Sequence, residues 1–282
     1  MSQISNLKID SHQHFWKYDP VKYSWIPEEM SAIRQDFFPE DLKPVLSKNG
    51  FSGCIAVQAD QSETETEILL KYAEQHDFIK GVVGWVDLSA ADVEDRLKNF
   101  SKNTFLKGIR HTVWDEKGEF MTAPNFQRGI KALGLFDLTY DILAFDYQLE
   151  AAVELVKAFP EQKFVLDHIG KPKISGKPDA KWVENIQELG KCDKVWCKIS
   201  GLVTETENFS WKRTDFWPFL EVVVSAFGVD RIIFGSDWPV CLSAARYPQV
   251  LGILEEFFRG YSQAEKEKIF GRNAAEFYNL KL

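Results

Sequence analysis

Eight short apolar runs separated by longer amphipathic stretches are what most constrain the fold of this chain. The runs fall at residues 7–12, 53–58, 80–86, 106–111, 136–142, 163–168, 195–199 and 231–235. Many lack polar alternation, the pattern of strands covered on both faces. Between them, apolar residues recur at helical spacing in 62–76, 90–100, 125–133, 148–159, 181–189, 216–227 and 247–258. Parallel strands need crossovers of this length. Eight strands alternating with helices in 282 residues predict an α/β fold closed into a (β/α)8 TIM barrel. An open, doubly wound sheet is the alternative. No Pro/Gly/Ser-rich linker divides the chain, so residues 1–282 are expected to form a single domain. The segment 16–44 breaks the regular spacing. It carries Trp25, Phe37, Phe38 and four prolines, and is expected to be an extended loop over the end of the first strand. There it would form a pocket wall or lid, or a packed surface excursion. The tail 262–282 reads as terminal helices, with Ser262 as a cap and Gly271 between two helical stretches.

Charge narrows the function. Asp and Glu outnumber Lys and Arg, 42 to 34, for a net charge of −8. With no Lys/Arg block, neither nucleic acid nor an anionic membrane is an expected partner. No run approaches the ~18 apolar residues of a membrane span. The start Met1-Ser2-Gln3-Ile4 has no basic segment leading into an apolar one, so no signal peptide is expected. Cys54, Cys192, Cys197 and Cys241 make no CxxC pair, and are expected to be reduced thiols of a cytoplasmic protein. The chain has nine Trp, several beside polar motif residues, as in a pocket for a small organic molecule.

Four of the five histidines, His12, His14, His111 and His168, fall at the ends of predicted strands; His76 sits at a polar helix end and is expected on the surface. In Asp10-Ser11-His12-Gln13-His14-Phe15-Trp16, residues two apart project to one face. His12 and His14 can therefore converge on a divalent metal or a carbonyl oxygen, or be two hydrogen-bonded structural histidines. Asp10 can orient them from behind. A second apolar run ends in Asp167-His168-Ile169-Gly170-Lys171-Pro172, offering a third imidazole and an ammonium group for substrate. A third ends in Gly235-Ser236-Asp237-Trp238-Pro239, where Asp237 is a candidate base. Burial would raise its basicity and a nearby cation would lower it. In Gly108-Ile109-Arg110-His111 the last two residues alternate, so one faces the lumen and the other the helices. Both are candidate substrate contacts, as are Trp16, Trp25 and Trp238, whose alternative is packing. Lys198, in an apolar strand, needs a buried partner or a place in the pocket. No GxSxG, P-loop, strand-linked GxGxxG or HExxH occurs, so no nucleotide cofactor is expected.

Together these four motifs resemble the amidohydrolase superfamily. They are most similar to the amidohydrolase-2 branch, which holds sugar lactonases (of L-fuconolactonase and L-rhamnonolactonase type) and pyrone-dicarboxylate lactonases. The resemblance runs from about His12 to Asn273. It implies hydrolysis of a lactone to a sugar acid at the strand C-terminal face. His12, His14 and His168 would be metal ligands or carbonyl-polarising groups, Asp237 the water-activating base and, with a metal present, a fourth ligand, and His111, Arg110 and Lys171 substrate contacts. No metal-bridging lysine stands on the fourth strand, because Lys107 comes too early, and the fifth offers no histidine. At most one divalent ion, Zn²⁺ by preference, is therefore expected, and the branch includes relatives that need none. An ester suits this equipment, since an alkoxide leaves more readily than an amine. Decarboxylation by a metal and an acid, also found in the superfamily, is the competing chemistry; a sugar-binding barrel without activity is a third.

Overall fold

The structure, a computed structural model, describes residues 7–112 and 118–281. The start 1–4, considered above for a leader, and the last residue of the tail lie outside the described residues. Eight parallel strands follow one another around the sheet in chain order. They are β1 (Ile9–Gln13), β2 (Gly53–Val57), β3 (Ile79–Gly84), β4 (Leu106–Thr112), β5 (Thr139–Leu143), β6 (Phe164–Leu166), β7 (Val195–Ile199) and β8 (Ile232–Phe234). The ring closes where the end of β1 meets the segment after β8. His14 N–H donates to Trp238 O at 2.7 Å, and Asp237 N–H to His12 O at 2.8 Å. This is the barrel that the alternation of runs predicts.

A helix follows each strand: α1 (Pro39–Lys48), α2 (Glu63–Gln75), α3 (Val93–Phe100), α4 (Pro124–Leu133), α5 (Leu149–Ala158), α6 (Ala180–Gly190), α7 (Trp217–Phe227) and α8 (Tyr247–Phe257). The tail continues as α9 (Gln263–Glu267), a π-helical turn Lys268–Arg272 and α10 (Asn273–Phe277). Ser262 caps α9 through the N–H of Glu265, as expected, while Gly271 lies within the π turn. Three expectations need correction. The segment 16–44 is not all loop, because α1 begins at Pro39; proline is favourable at a helix start, but Pro44 inside the helix hides the pattern. Phe136 belongs to a 3-10 turn ended by left-handed Asp137, so β5 starts only at Thr139. β6 stops at Leu166, and His168 stands in a turn beyond it.

Apolar packing divides in two. The larger core lies between strands and helices. A smaller one fills the base of the lumen with Ile9, Ile55, Val57, Val83, Val165 and Ile233, sealed by Phe277 and Tyr278. Each fully buried side chain of this size contributes about 1.5–3 kcal/mol. The barrel mouth is thereby left to polar groups. Among the described residues, no helix is long and apolar enough to cross a membrane.

Candidate active site

An irregularity in β1 aims its histidines. Asp10 pairs with Cys54 on β2, but Gln13 pairs with Ala56, so β1 carries one extra residue. Ile9 points into the lumen, and the extra residue lets His12 and His14 point there too, despite the odd separation from Ile9. Asp10 stays behind the sheet, where its Oδ1 accepts N–H from Ser236 at 2.9 Å and from His12 at 3.3 Å. One carboxylate thus clips the end of β1 to the residue preceding Asp237.

The other two groups stand on strained backbone. His168 has φ +54° and Asp237 φ +59°, left-handed conformations that cost non-glycine residues energy and recur at functional sites. Space for them is made by glycines. At Gly201 (φ +65°) a Cβ would come within 2.5 Å of the His168 ring, and at Gly235 within 2.6 Å of the His12 Cβ. The result is a compact cluster. The His12 ring lies 4.9 Å from His14 and 4.5 Å from His168, between centroids. Asp237 Oδ1 is 3.3 Å from His14 Nε2 and 3.8 Å from His12 Nε2.

Hydrogen bonds fix what these rings can do. His14 Nδ1 lies 2.8 Å from Val57 O, which only accepts, so Nδ1 carries a proton. Its Nε2 then presents a lone pair to the Asp237 carboxylate, and two such acceptors need a proton or a cation between them. His168 Nδ1 lies 2.9 Å from Ser200 Oγ, a hydroxyl that can donate or accept. Burial holds His12 well below the ordinary histidine range and His168 at about 4, so both are neutral at pH 7. Burial pushes Asp237 up, but the imidazoles of His168, His14 and His12 more than offset this and keep it below the carboxylate range. His12, His168 and Asp237 each offer a ligand atom within 4.8 Å of the others, a donor set suited to one divalent ion. Lys107 takes no part; its ammonium group donates to Asn279 O.

Beneath the histidines lies a buried charge network. Lys198 Nζ reaches Asp141 at 2.6 Å, Asp167 at 3.0 Å and His12 Nδ1 at 3.1 Å. Arg110 donates to Asp167 at 3.1 Å, to His12 Nε2 at 3.2 Å and to Gln58. Tyr278 donates to Asp141 at 2.8 Å. Two cations balance two carboxylates, all but Arg110 wholly buried. Burial raises Asp141 to about 6; on Asp167 burial acts the same way, yet Lys198 and His12 outweigh it and hold the group low.

A cavity of about 450 Å³ opens above the cluster. His14, His168, Asp237, Arg110, Lys171 and Trp25 line it; His12 stands just behind. Three expected substrate contacts do not line it. Arg110 takes the inward position on β4, so His111 points outward, its ring 4.5 Å from Phe120 and bonded by Trp85 Nε1. Trp16 and Trp238 are buried, each packed edge-on with Phe37.

Sequence motifs gave no sign of Lys22, Asp60, Glu65 or Glu205. Glu65, only 3% exposed on α2, accepts the N–H groups of Ala59 and Asp60 at 2.9 and 2.7 Å and the Tyr23 hydroxyl at 3.3 Å. Trp25 Nε1 donates to Ala59 O at 3.1 Å, so this carboxylate anchors one wall of the cavity. Burial pushes Glu65 up to about 7. The folded chain therefore holds a proton that the unfolded chain releases near 4.5. Stability falls as pH rises from about 4.5 to about 7, and is flat above. Asp10 and Asp141, raised to about 6, act in the same sense. Urea unfolding at pH 5 and 7.5 should show that Glu65→Gln shrinks this loss by on the order of 3 kcal/mol. An unchanged loss would assign it to the other two acids.

The family model described as Amidohydrolase matches residues 9–280. The chain belongs to the amidohydrolase family. It is 37% identical to an L-fucono-1,5-lactonase of Burkholderia multivorans, over 97% of this chain and 96% of that one. An L-fucono-1,5-lactonase of Burkholderia ambifaria is 32% identical over the same shares. A crystal structure of an amidohydrolase from Burkholderia multivorans with bound zinc superposes with a TM-score of 0.94, at 37% identity, covering 98% of this amidohydrolase and all of that one.

Proposed function

We propose that this amidohydrolase opens a small sugar lactone to its sugar acid. The observation that carries the reading is Asp237, a buried carboxylate lining a 450 Å³ cavity at 3.3 Å from His14. The lactonases named above, similar over nearly the whole chain, support it. Asp237 accepts a proton from water as the water oxygen adds to the carbonyl carbon. With Ser200 donating to Nδ1, His168 has an Nε2–H to offer the developing oxyanion, and the Arg110 guanidinium adds positive charge. Asp237 then returns its proton to the ring oxygen as the C–O bond breaks. Trp25 offers an aromatic face to the sugar. In place of that Nε2–H, a divalent ion such as the zinc of the Burkholderia structure, held by His12, His168 and Asp237 with His14 beside them, would polarise the carbonyl and acidify the water.

A pH-indicator screen of L- and D-sugar lactones, with five- and six-membered rings, tests this. Acid release well above the spontaneous rate is expected from at least one of them, and no CO2 from aromatic carboxylic acids assayed in parallel. Release of CO2 without lactone opening would replace the reading with decarboxylation. Tight lactone binding without turnover, metal-supplemented or not, would replace it with a binding protein. Repeating the screen with a chelator, then with Zn²⁺ restored, measures how much of the rate the ion supplies.

A further inference from the structure

Three cations line the cavity among the described residues, and each has a carboxylate against it. Lys22 meets Asp60 at 3.2 Å, Arg110 meets Asp167 at 3.1 Å, and Lys171 meets Glu205. The pairs are not equivalent. Arg110 and Asp167 belong to the interior network. Lys22 and Asp60 are 34% and 23% exposed, so water weakens their attraction. Lys171 and Glu205 are only 10% and 15% exposed, and both face the cavity. Their loops, after β6 and β7, are clipped together by Ile174 N–H donating to Glu205 O at 3.0 Å and by a parallel bridge from Ile174 to Thr206. The Lys171 ammonium group also lies 5.7 Å from the centre of the Phe145 ring, another part of the wall. Backbone and side-chain contacts therefore hold this pair in place before any ligand arrives.

A ligand carboxylate entering beside Lys171 must displace Glu205 or lie against it, and either leaves a poorly solvated negative charge without its partner. A hydroxyl group does neither. Glu205 can accept its proton in a charge-assisted bond, while the Lys171 ammonium group donates to its oxygen. We propose that Glu205 determines specificity: it reads a hydroxyl of a polyhydroxylated lactone and, by neutralising Lys171, closes the cavity to lactones that carry a carboxylate. This rests on the lactonase reading above.

The test compares kcat/KM for an aldonolactone and for the lactone of the matching aldaric acid, which differs by a terminal carboxylate. The wild-type enzyme is expected to favour the uncharged ring by roughly 100-fold. Glu205→Gln should lower kcat/KM for the uncharged lactone about 10-fold and raise it for the acid, narrowing the preference by about 100-fold. Glu205→Asp, which keeps the charge, should retain the exclusion. Equal wild-type rates on the two lactones would overturn the inference alone, as would Gln and Asp variants that lose both substrates in parallel. No opening of either lactone by the wild type would overturn the proposed reaction, and the inference with it.

Discussion

Asp237→Asn should lower kcat by on the order of 1,000-fold and leave the fold intact. The substitution keeps size and shape but cannot take a proton from water. It does not leave the site unsatisfied either. The Asn amide can donate to His14 Nε2, 3.3 Å from the present Oδ1, where the carboxylate itself needs a proton or cation in between. Thermal unfolding should therefore stay at or above the wild-type midpoint, while the initial rate on the best lactone collapses. A folded variant, free of contaminating enzyme, that turns over at near the wild-type rate would remove Asp237 as the base.

The second large effect falls on stability. Lys198→Met removes the ammonium group shared by Asp141, Asp167 and His12, and leaves two wholly buried carboxylates whose remaining neighbours are Arg110, the His12 ring and Tyr278. Deleting one partner of such a network costs about 3–5 kcal/mol, because the survivors stay desolvated. For a chain of this size that corresponds to a fall in Tm of roughly 10 °C, readable by calorimetry. Adding Asp141→Asn, which removes one stranded charge, should recover part of the loss; Asp167 keeps Arg110. If the double variant melts no higher than the single one, the loss comes from something other than uncompensated charge.

Sequence carried the barrel because strands buried on both faces leave nearly unbroken apolar runs, and β7 was legible to the residue at Val195–Ile199. Helix α1 was hidden by Pro39 and Pro44, which punctuate loops far more often than helices. The end of β6 was misplaced because the left-handed turn at His168 uses ordinary residues, with no glycine until Gly170. In the site, the spacing of His12 and His14 was enough to pair them, but not to show which way they face. That depends on the extra residue in β1, visible only once β2 is alongside. The same limit applies to Arg110 and His111: alternation separates them, and only the barrel says which is inside. Lys198 stood out as a charge in an apolar strand. Its partner Asp167 lay unremarked beside His168, because the pairing spans β6 and β7. Glu65 and Glu205 come from a helix and a loop without any motif; their significance lies in what the fold sets against them.

Tyr278 donates to Asp141 across 137 positions of sequence and helps to seal the base of the lumen. Chains are synthesised from the amino end, and early segments begin to fold before later ones exist. Asp141 on β5 is thus made well before the tyrosine that covers it, and the half-built barrel stays open to water at its floor. Completion must wait until the ribosome has released residue 278, after all eight strands have been made.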